Sequence, residues 1–358
     1  MMNNEPNESI NYKRSNLVQQ LGFDRNKVYS ISRREDFDLI NSTNIPDDCL
    51  LDCFTYDARM SVDLYNKVKH KFKKIISMNI LIDDKKHIVW DSKIGQLQFY
   101  LDNVHFFNRL TSNSVKFLRL KNYLFLTNHI RFERIEIFDH LCKNNLIKNG
   151  LINFPSLKKT LRQELSFALT SEQEKVYLNY DKDFLPLSLD FLPKDNFTFE
   201  KKHTLYENHK WVDVPDYGCS YNPLLYQSVY FEVLSETYYY TTEFPNKQIN
   251  WISEKTIKPI INLLPHFCLS QQNYYSSLKR QFGLTFNSEI FKSIKEFDSL
   301  PSGYEKTKTF INSIDYLLKM DKKTLHELYV DALPELRLNQ NIIIQKYDKN
   351  YIRNKINE

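Results

Sequence analysis

The stretch Trp251-Ile252-Ser253-Glu254-Lys255-Thr256-Ile257-Lys258-Pro259-Ile260 places an acid-base pair between an apolar lead-in and an apolar helical run. Serine is a preferred residue just before a helix, so the stretch predicts a helix that starts after Ser253. The first N–H groups of such a helix have no partner within it and favour an anion in front of them. Lys255 would add a full positive charge there, and the strand-like Phe267-Cys268-Leu269 follows. The pattern predicts a helix, then a strand, with an anion site at the helix start.

A second stretch lies upstream, Tyr230-Phe231-Glu232-Val233-Leu234-Ser235-Glu236-Thr237, and it is typical of a buried strand that ends in an acid. A strand that delivers a carboxylate to a sheet edge indicates a binding or catalytic site. Downstream, Glu254 can accept hydrogen bonds from sugar hydroxyls. A capped surface helix with an ordinary ion pair explains the Ser-Glu-Lys order equally well when it is taken alone.

A third stretch, from Tyr123 to Arg134, joins a strand-like segment to a polar turn and two arginines, Arg131 and Arg134. A guanidinium can bind two phosphate oxygens at once, although either arginine alone is also an ordinary solvated residue at a helix start. A helix is predicted next, because apolar residues recur at helical spacing. These residues are Ile135, Phe138, Leu141, Cys142 and Leu146.

The three stretches in this order resemble the donor-binding signature of the fucosyltransferase-like glycosyltransferases of family 10 and of related viral and bacterial glycosyltransferases. The similarity covers about residues 116–341. It implies an α/β fold of the GT-B-like type, with two Rossmann-like domains flanking a cleft and with C-terminal helices that close the chain. Arg134 would meet the pyrophosphate of the donor. The implied nucleotide-sugar-binding residues are Asn128, Arg131, Arg134, Glu236, Ser253, Glu254, Lys255 and Thr256.

The length of 358 residues is enough for two domains, and 42% hydrophobic residues can fill two cores. We expect an N-terminal α/β acceptor-side domain over residues 1–112 and a nucleotide-sugar-binding Rossmann-like domain over 113–358. The second domain is expected to contain an irregular insertion at about 154–226 and to end in a helical tail. Within it, Gly283 is expected to end a helix, and Leu284-Thr285-Phe286 is typical of a short strand.

The resemblance also implies a reaction, the metal-independent transfer of a sugar from a nucleoside-diphosphate sugar to an acceptor hydroxyl. The donor is expected to be a GDP-sugar or a UDP-sugar, with no other cofactor, and the acceptor a glycan, a protein or modified DNA. An inverting reaction needs a carboxylate that takes the proton of the acceptor. Four aspartates near predicted strand ends are weak candidates, since each is also an ordinary turn or surface residue: Asp52, Asp57, Asp83 and Asp84.

Two other functions remain open from the sequence. Asp36-Phe37-Asp38 and Asp181-Lys182-Asp183 have the Asp-x-Asp spelling with which metal-dependent GT-A-type glycosyltransferases hold a divalent ion, although neither follows a clear buried strand. The other alternative is a non-catalytic module that binds sugar nucleotides or nucleic acid. A net charge of +5 from 49 basic and 44 acidic residues does not by itself indicate a nucleic-acid partner.

The remaining patterns bear on compartment and partners. Five cysteines make no even disulfide framework, and Cys49 and Cys53 lack a second ligand pair for zinc. The polar, acidic start does not resemble a secretory signal. The most apolar stretch, Ile257 to Leu269, is interrupted by charge and proline and is too short to cross a bilayer. We expect a cytoplasmic protein, in a bacterial cytosol or an infected host cell, of open oligomeric state.

Overall fold

A computed structural model describes residues 21–31, 40, 44–53, 62–77, 80–81, 84–89, 115–127, 131–153, 202–207, 210–215, 226–236, 239 and 250–358. The strands are β1 (Val28–Ile31), β2 (Leu50–Cys53), β3 (Lys74–Ser77), β4 (Ile80–Leu81), β5 (His87–Val89), β6 (Lys121–Leu126), β7 (Gly150–Asn153), β8 (Lys202–Glu207), β9 (Lys210–Pro215), β10 (Val229–Ser235), β11 (Asn250–Trp251) and β12 (His266–Leu269). The helices are α1 (Val62–Val68), α2 (Phe132–Lys143), α3 (Glu254–Ile261), α4 (Tyr274–Phe282), α5 (Ile294–Phe297), α6 (Tyr304–Lys319), α7 (Lys322–Tyr347) and α8 (Lys349–Asn357). The described chain is therefore α/β, as the sequence predicts.

The first sheet has four parallel strands in the order β1-β2-β3-β5. Strand β2 is buried along its whole length, as parallel strands covered on both faces require. Asp52 pairs in register with Ser30 of β1 and Ile76 of β3, one residue before the carboxyl end of β2. Because β5 runs parallel to β3, the segment between them returns from the carboxyl edge of the sheet to its amino edge.

The second sheet is also parallel and has the order β7-β6-β10-β12. The chain builds it outward from β6, first to β7 on one side and later to β10 and β12 on the other. This reversal makes a topological switch point between β6 and β10. In open α/β sheets, ligands bind outside the carboxyl ends of the strands at such a point. The arrangement is compatible with a Rossmann-like fold.

Helices cover both faces of the second sheet. The Ser235 hydroxyl bonds to Glu133 of α2, whereas the Tyr230 ring packs edge-on against Tyr329 of α7. Ser235 and Tyr230 are an odd number of positions apart in one strand, so their side chains point to opposite faces. Helix α2 therefore covers one face and α7 the other. Asp321 caps α7 by accepting the Lys323 and Thr324 N–H groups.

The end of the described chain returns to the first sheet. Arg353 Nε in α8 donates to the carbonyl of Leu21 at 3.1 Å. Lys73 Nζ, just before β3, donates to the carbonyl of Asn357 at 3.3 Å. The buried side chains of the two sheets also belong to one continuous hydrophobic cluster, which includes Val28 and Leu50 of the first sheet. The two halves are therefore joined by shared packing and by the C-terminal helix.

The predicted strand at Leu284-Thr285-Phe286 is wrong, since these residues belong to no strand. One side chain explains why. Asn339 of α7 accepts a hydrogen bond from the Thr285 N–H at 2.9 Å and donates one to the Thr285 carbonyl at 2.7 Å. Both backbone groups are satisfied without a neighbouring strand. The predicted helix end before them is confirmed, because Gly283 has the left-handed φ of 80° that such a cap requires.

Strands β8 and β9 pair antiparallel in a regular hairpin, with Glu207 opposite Lys210. The rest of residues 154–225 lies outside the described residues. No helix in the described part of the chain is long and apolar enough to cross a membrane.

Candidate functional site

Polar side chains gather where β6 and β10 end, at the switch point of the second sheet. Thr127 follows β6, and Ser235 and Glu236 close β10; all three are buried. Burying hydroxyl and carboxyl groups is unfavourable unless they find hydrogen-bond partners, so this edge must be internally paired. The partners come from the first turns of α2 and α3.

Helix α2 brings two arginines to this edge. Arg131 is its N-cap residue, and no side chain among the described residues caps the helix start. Arg134 is only 3% exposed, and its Nη2 donates to the Ser235 carbonyl at 3.1 Å. Burial lowers the pKa of Arg134, Glu133 raises it and the nearby Arg131 lowers it. Two cations and the positive end of a twelve-residue helix thus lie at the end of β10.

Glu133 links α2 to β10 on the same face. Its Oε1 accepts a hydrogen bond from the Ser235 hydroxyl at 2.8 Å and lies 3.9 Å from Arg134 Nε. Ser235 therefore holds Glu133 with its side chain and Arg134 with its carbonyl. The first turn of α2 is fixed to the strand end at two points, which holds Arg134 in one place.

Glu236 fixes the start of α3 to the end of β10. Its carboxylate accepts hydrogen bonds from the Ser253 N–H at 3.0 Å, the Ser253 hydroxyl at 2.8 Å and the Thr256 hydroxyl at 2.6 Å. The Ser253 hydroxyl also accepts the Lys255 N–H at 3.2 Å, which confirms the predicted helix start. The Tyr274 hydroxyl of α4 is hydrogen-bonded to Thr256. One carboxylate thus connects β10 and α3, and through Thr256 the start of α4.

The predicted site residues are therefore brought together, with distinct positions. Four of them are buried: Arg134, Glu236, Ser253 and Thr256. Arg134 of α2 is hydrogen-bonded to the end of β10, and Ser253 and Thr256 at the start of α3 are hydrogen-bonded to Glu236. Arg131 and Lys255 are half-buried at the two helix starts. Glu254 is the first residue of α3. Asn128 lies outside the described residues.

A buried lysine supports the loop after β12. Lys306 Nζ in α6 donates to the Gln271 carbonyl at 2.9 Å and to the Asp298 carbonyl at 3.3 Å. Burial lowers its pKa to about 8, an effect that Asp298 opposes. The Asp298 carboxylate in turn accepts the Tyr275 and Ser276 N–H groups and so caps α4. The loop after β12 and the start of α4 are therefore held in place by polar contacts as well as by the hydrophobic core.

A short ladder brings the first sheet to this edge. Strand β4 follows three residues after the end of β3, and it pairs antiparallel with β11. Strand β11 ends two residues before Ser253, the N-cap of α3. The carboxyl edge of the first sheet is thereby placed beside the carboxyl edge of the second. The positive helix start of α3 lies next to the point where the two edges meet.

The four aspartates proposed from the sequence are not equivalent. Asp52 lies near the carboxyl end of β2 and is buried. Asp84 precedes β5 at the opposite, amino edge, where it accepts the Lys86 N–H at 2.9 Å and lies 3.6 Å from Lys69 Nζ. Asp57 and Asp83 fall outside the described residues. The carboxyl edge that faces α3 therefore contains Asp52 and not Asp84.

Sequence reasoning missed two features of the site. The hydrogen bond between Glu133 and Ser235 was not predicted, although Glu133 lies between the two arginines. The sequence predicted that an acid, Glu236, lies at the strand end, but it did not predict the three hydrogen bonds that its carboxylate accepts. A serine and a threonine flanking the Glu254-Lys255 pair were the available signal, since both can donate to a buried carboxylate.

Within the described ranges, no three His, Cys, Asp or Glu side chains are placed to hold a metal ion. Both Asp-x-Asp pairs of the sequence lie outside those ranges.

Comparisons with protein-family models, with curated proteins and with solved structures found no match. The interpretation of the site therefore depends on its own residues and their geometry.

Proposed function

We propose that the protein is a glycosyltransferase that moves a sugar from a nucleoside-diphosphate sugar to an acceptor hydroxyl. The observation that carries this proposal is the meeting of two helix starts, those of α2 and α3, at the switch point between β6 and β10. The positive end of each helix dipole favours an anion at that position. Arg131 and Lys255 add two formal charges. The donor diphosphate fits this combination of charge and fixed geometry.

The chemistry follows from where charge develops. When the bond between the sugar and the diphosphate breaks, negative charge grows on the leaving phosphate oxygens. Positive groups already held in place stabilise that charge without reorganising during the reaction. Glu236 holds the start of α3, and Glu133 and Ser235 hold Arg134. These buried contacts make Arg134 and Glu236 positioning residues, with Arg131 and Lys255 nearest to the phosphates.

The first sheet supplies the acceptor side in this proposal. The ladder between β4 and β11 brings its carboxyl edge beside the start of α3. In an inverting reaction, a carboxylate takes the proton of the acceptor hydroxyl while the oxygen attacks the anomeric carbon and the diphosphate leaves. Asp52 is the described carboxylate at that edge. The resemblance to fucosyltransferase-like enzymes favours a GDP-sugar, with a UDP-sugar as the second choice.

Ligand-induced stabilisation of the full chain tests the proposal. Melting temperatures are measured with GDP, UDP, ADP and CMP and with GDP-sugars and UDP-sugars, each with and without magnesium. The same series is run on Lys255→Ala and on Lys279→Ala, an exposed lysine of α4 that serves as the matched control. A ligand that binds only the folded state at about 100 times its Kd stabilises by about 2.7 kcal/mol.

The expected result is stabilisation by one nucleoside diphosphate, without magnesium, that Lys255→Ala loses and Lys279→Ala keeps. Release of that nucleotide from its sugar conjugate on turnover then identifies the enzyme activity. Absence of stabilisation by every ligand contradicts the proposal. Stabilisation that needs magnesium contradicts the metal-independent mechanism and favours a metal-dependent glycosyltransferase.

A further inference from the structure

The turn from Val115 to Leu120, just before β6, exposes three large apolar side chains. Phe117 is 72% exposed, Leu118 57% and Leu120 43%. In the part of the chain that the structure describes, only two other large apolar residues are exposed, and they lie on α6 and α7. Scattered exposed apolar residues are ordinary, but a group of them in one turn indicates a contact surface.

Arg119 holds this turn in place. Its side chain is buried, and its Nη1 donates to the carbonyls of Tyr226, at 3.1 Å, and Val229. Its backbone N–H donates to the Tyr230 hydroxyl at 2.8 Å, and its guanidinium is hydrogen-bonded to Tyr329 of α7. The turn is thereby fixed to the second sheet while the apolar side chains on either side of Arg119 stay exposed.

Two neighbouring segments meet the turn and bring lysines to it. Lys322 Nζ, at the start of α7, donates to the Leu120 carbonyl at 2.7 Å. Lys121 Nζ, at the start of β6, donates to the carbonyl of Lys148 in the turn before β7. Lys116 is exposed within the apolar turn itself. The exposed apolar side chains therefore lie among lysines from three parts of the chain.

The charge of these three segments is mostly of one sign. Residues 115–121, 145–149 and 319–324 contain six lysines and one acidic residue, Asp321. Lys319 is paired with Asp315 of its own helix, and the Asp321 carboxylate caps α7. Lys323, next to Lys322, is exposed. The surface therefore combines protruding apolar side chains with a positive charge that favours an anionic partner.

We propose that this surface binds a lipid bilayer that contains anionic lipids. The apolar side chains enter the boundary between the headgroups and the acyl chains, and the lysines bind the anionic headgroups. Phe117 and Leu118 favour a bilayer over a folded protein, because these two neighbours are both more than half exposed. A fluid acyl layer surrounds such protruding side chains without a matching pocket. We call the group the amino-edge surface; it consists of Lys116, Phe117, Leu118, Leu120, Lys322 and Lys323.

The amino-edge surface lies at the opposite edge of the second sheet from the candidate functional site. Arg119 precedes β6 and bonds to the start of β10, whereas the candidate functional site lies where both strands end. Strands of this length separate the two edges by about 20 Å. A bilayer bound at the amino edge leaves the candidate functional site open. The inference is thus independent of the proposed glycosyltransferase activity.

Flotation of the full chain with two kinds of vesicle tests the inference. One kind is phosphatidylcholine alone, and the other is phosphatidylcholine mixed with phosphatidylglycerol, which is anionic. We expect the anionic vesicles to bind at least about tenfold more tightly, and high salt to remove most of that preference by screening. Equal binding of the two kinds of vesicle, or no binding of either, overturns the inference.

Substitutions of exposed residues separate the two parts of the surface. Phe117→Ser with Leu118→Ser should weaken binding to anionic vesicles several-fold, while Leu338→Ser, exposed elsewhere on α7, should not. Lys116→Ala and Lys323→Ala should each weaken it about fivefold, while Lys279→Ala on α4 should not. All of these side chains are exposed, so the variants should keep the melting temperature of the wild type.

Two further measurements separate insertion into a bilayer from attraction to any polyanion. The fluorescence of Phe117→Trp should be quenched by lipids brominated in their acyl chains, and that of Leu338→Trp should not. Absence of quenching at position 117 overturns the inference. Soluble polyglutamate is the second probe. If it binds the chain as tightly as the anionic vesicles do, and the serine and alanine variants weaken it equally, the surface recognises an acidic protein segment and the inference is overturned.

Discussion

The carboxylate of Glu236 accepts hydrogen bonds from both the N–H and the hydroxyl of Ser253, at 3.0 and 2.8 Å. A strand end therefore determines where the following helix begins. Ser253 alone could cap α3 as any helix-start serine does. The bonds to Glu236 also fix the direction of the helix start relative to the sheet. In the proposed enzyme, this contact aims the positive end of α3 at the diphosphate.

Glu236→Gln should therefore weaken both the fold and the site. The amide keeps the size of the side chain but has one acceptor oxygen, so one of the three donors loses its partner. A buried donor without a partner costs about 1–3 kcal/mol. Urea unfolding measures this loss, with Glu289→Gln, an exposed residue, as control. An unchanged unfolding midpoint would show that Glu236 does not organise the helix start.

Substitutions of Arg134 and Arg131 should have different effects, the first mainly on stability and the second mainly on ligand binding. Arg134→Ala leaves buried Glu133 without its cation, and we expect a loss of a few kcal/mol in unfolding free energy. Arg131→Ala changes a half-buried side chain and should alter stability by less than about 1 kcal/mol. It should still weaken nucleoside-diphosphate binding, measured by calorimetry. Diphosphate affinity unaffected by Arg131→Ala argues against a phosphate contact there.

Glu232 should make stability fall as the pH rises. Burial raises its pKa to about 8 against an ordinary 4.5, an effect that Lys258 and Lys255 oppose. Between these values the unfolded chain has released the proton and the folded chain retains it. Unfolding is then favoured by about 1.4 kcal/mol for each pH unit. Glu232→Gln should remove this slope between pH 6.5 and 8 in urea titrations; an identical slope in the variant contradicts the assignment.

His266 should act in the opposite sense. It pairs in register with Glu232, and burial lowers its pKa to about 3 from 6.5. Below pH 6.5 the imidazole of His266 binds a proton in the unfolded chain but stays neutral in the folded chain. The free energy of unfolding therefore falls as the pH drops from 6.5 towards 3. His266→Phe keeps an aromatic ring between Tyr275 and Phe286. The variant should resist acid better than the wild type; equal acid sensitivity would locate the titrating group elsewhere.

A side chain at Gly150 should destabilise the protein. A Cβ at this position would lie 2.3 Å from the buried Tyr123 ring, whose hydroxyl donates to the Leu146 carbonyl at 3.1 Å. Overpacking of this kind costs about 1–3 kcal/mol. Gly150→Ala should lower the melting temperature by several degrees. Gly22→Ala is the control, because that site has open space, and it should suffer only the smaller strain of its positive φ.

Local pattern predicted much of this architecture. The helix start after Ser253 and the helix end at Gly283, each of which depends on one residue, were found where capping chemistry predicts them. The strand predicted at Leu284-Thr285-Phe286 was wrong, because the backbone groups of Thr285 are hydrogen-bonded to Asn339, more than fifty residues later in the chain. An apolar triplet has the composition of a strand, and only a distant side chain decides whether it pairs.

In the candidate site, too, local features could be predicted from the sequence and long-range contacts could not. Charges at helix starts were recognisable, because they lie beside local caps. The partners of Glu236 and Arg134 were not, because a carboxylate or guanidinium in a sequence does not reveal which of many donors and acceptors folding brings to it. Arg119 is a stronger example. Its burial among exposed leucines follows from the ends of two strands and from Tyr329, and no local periodicity contains that information.

The bond between Arg353 and the Leu21 carbonyl also bears on how the protein is made. These residues are 332 positions apart in the chain. At about 5–20 residues per second, a ribosome needs some 15–70 seconds to synthesise the intervening residues. The first sheet therefore emerges long before α8 can cover it. During that interval its exposed apolar surface is open to chaperones.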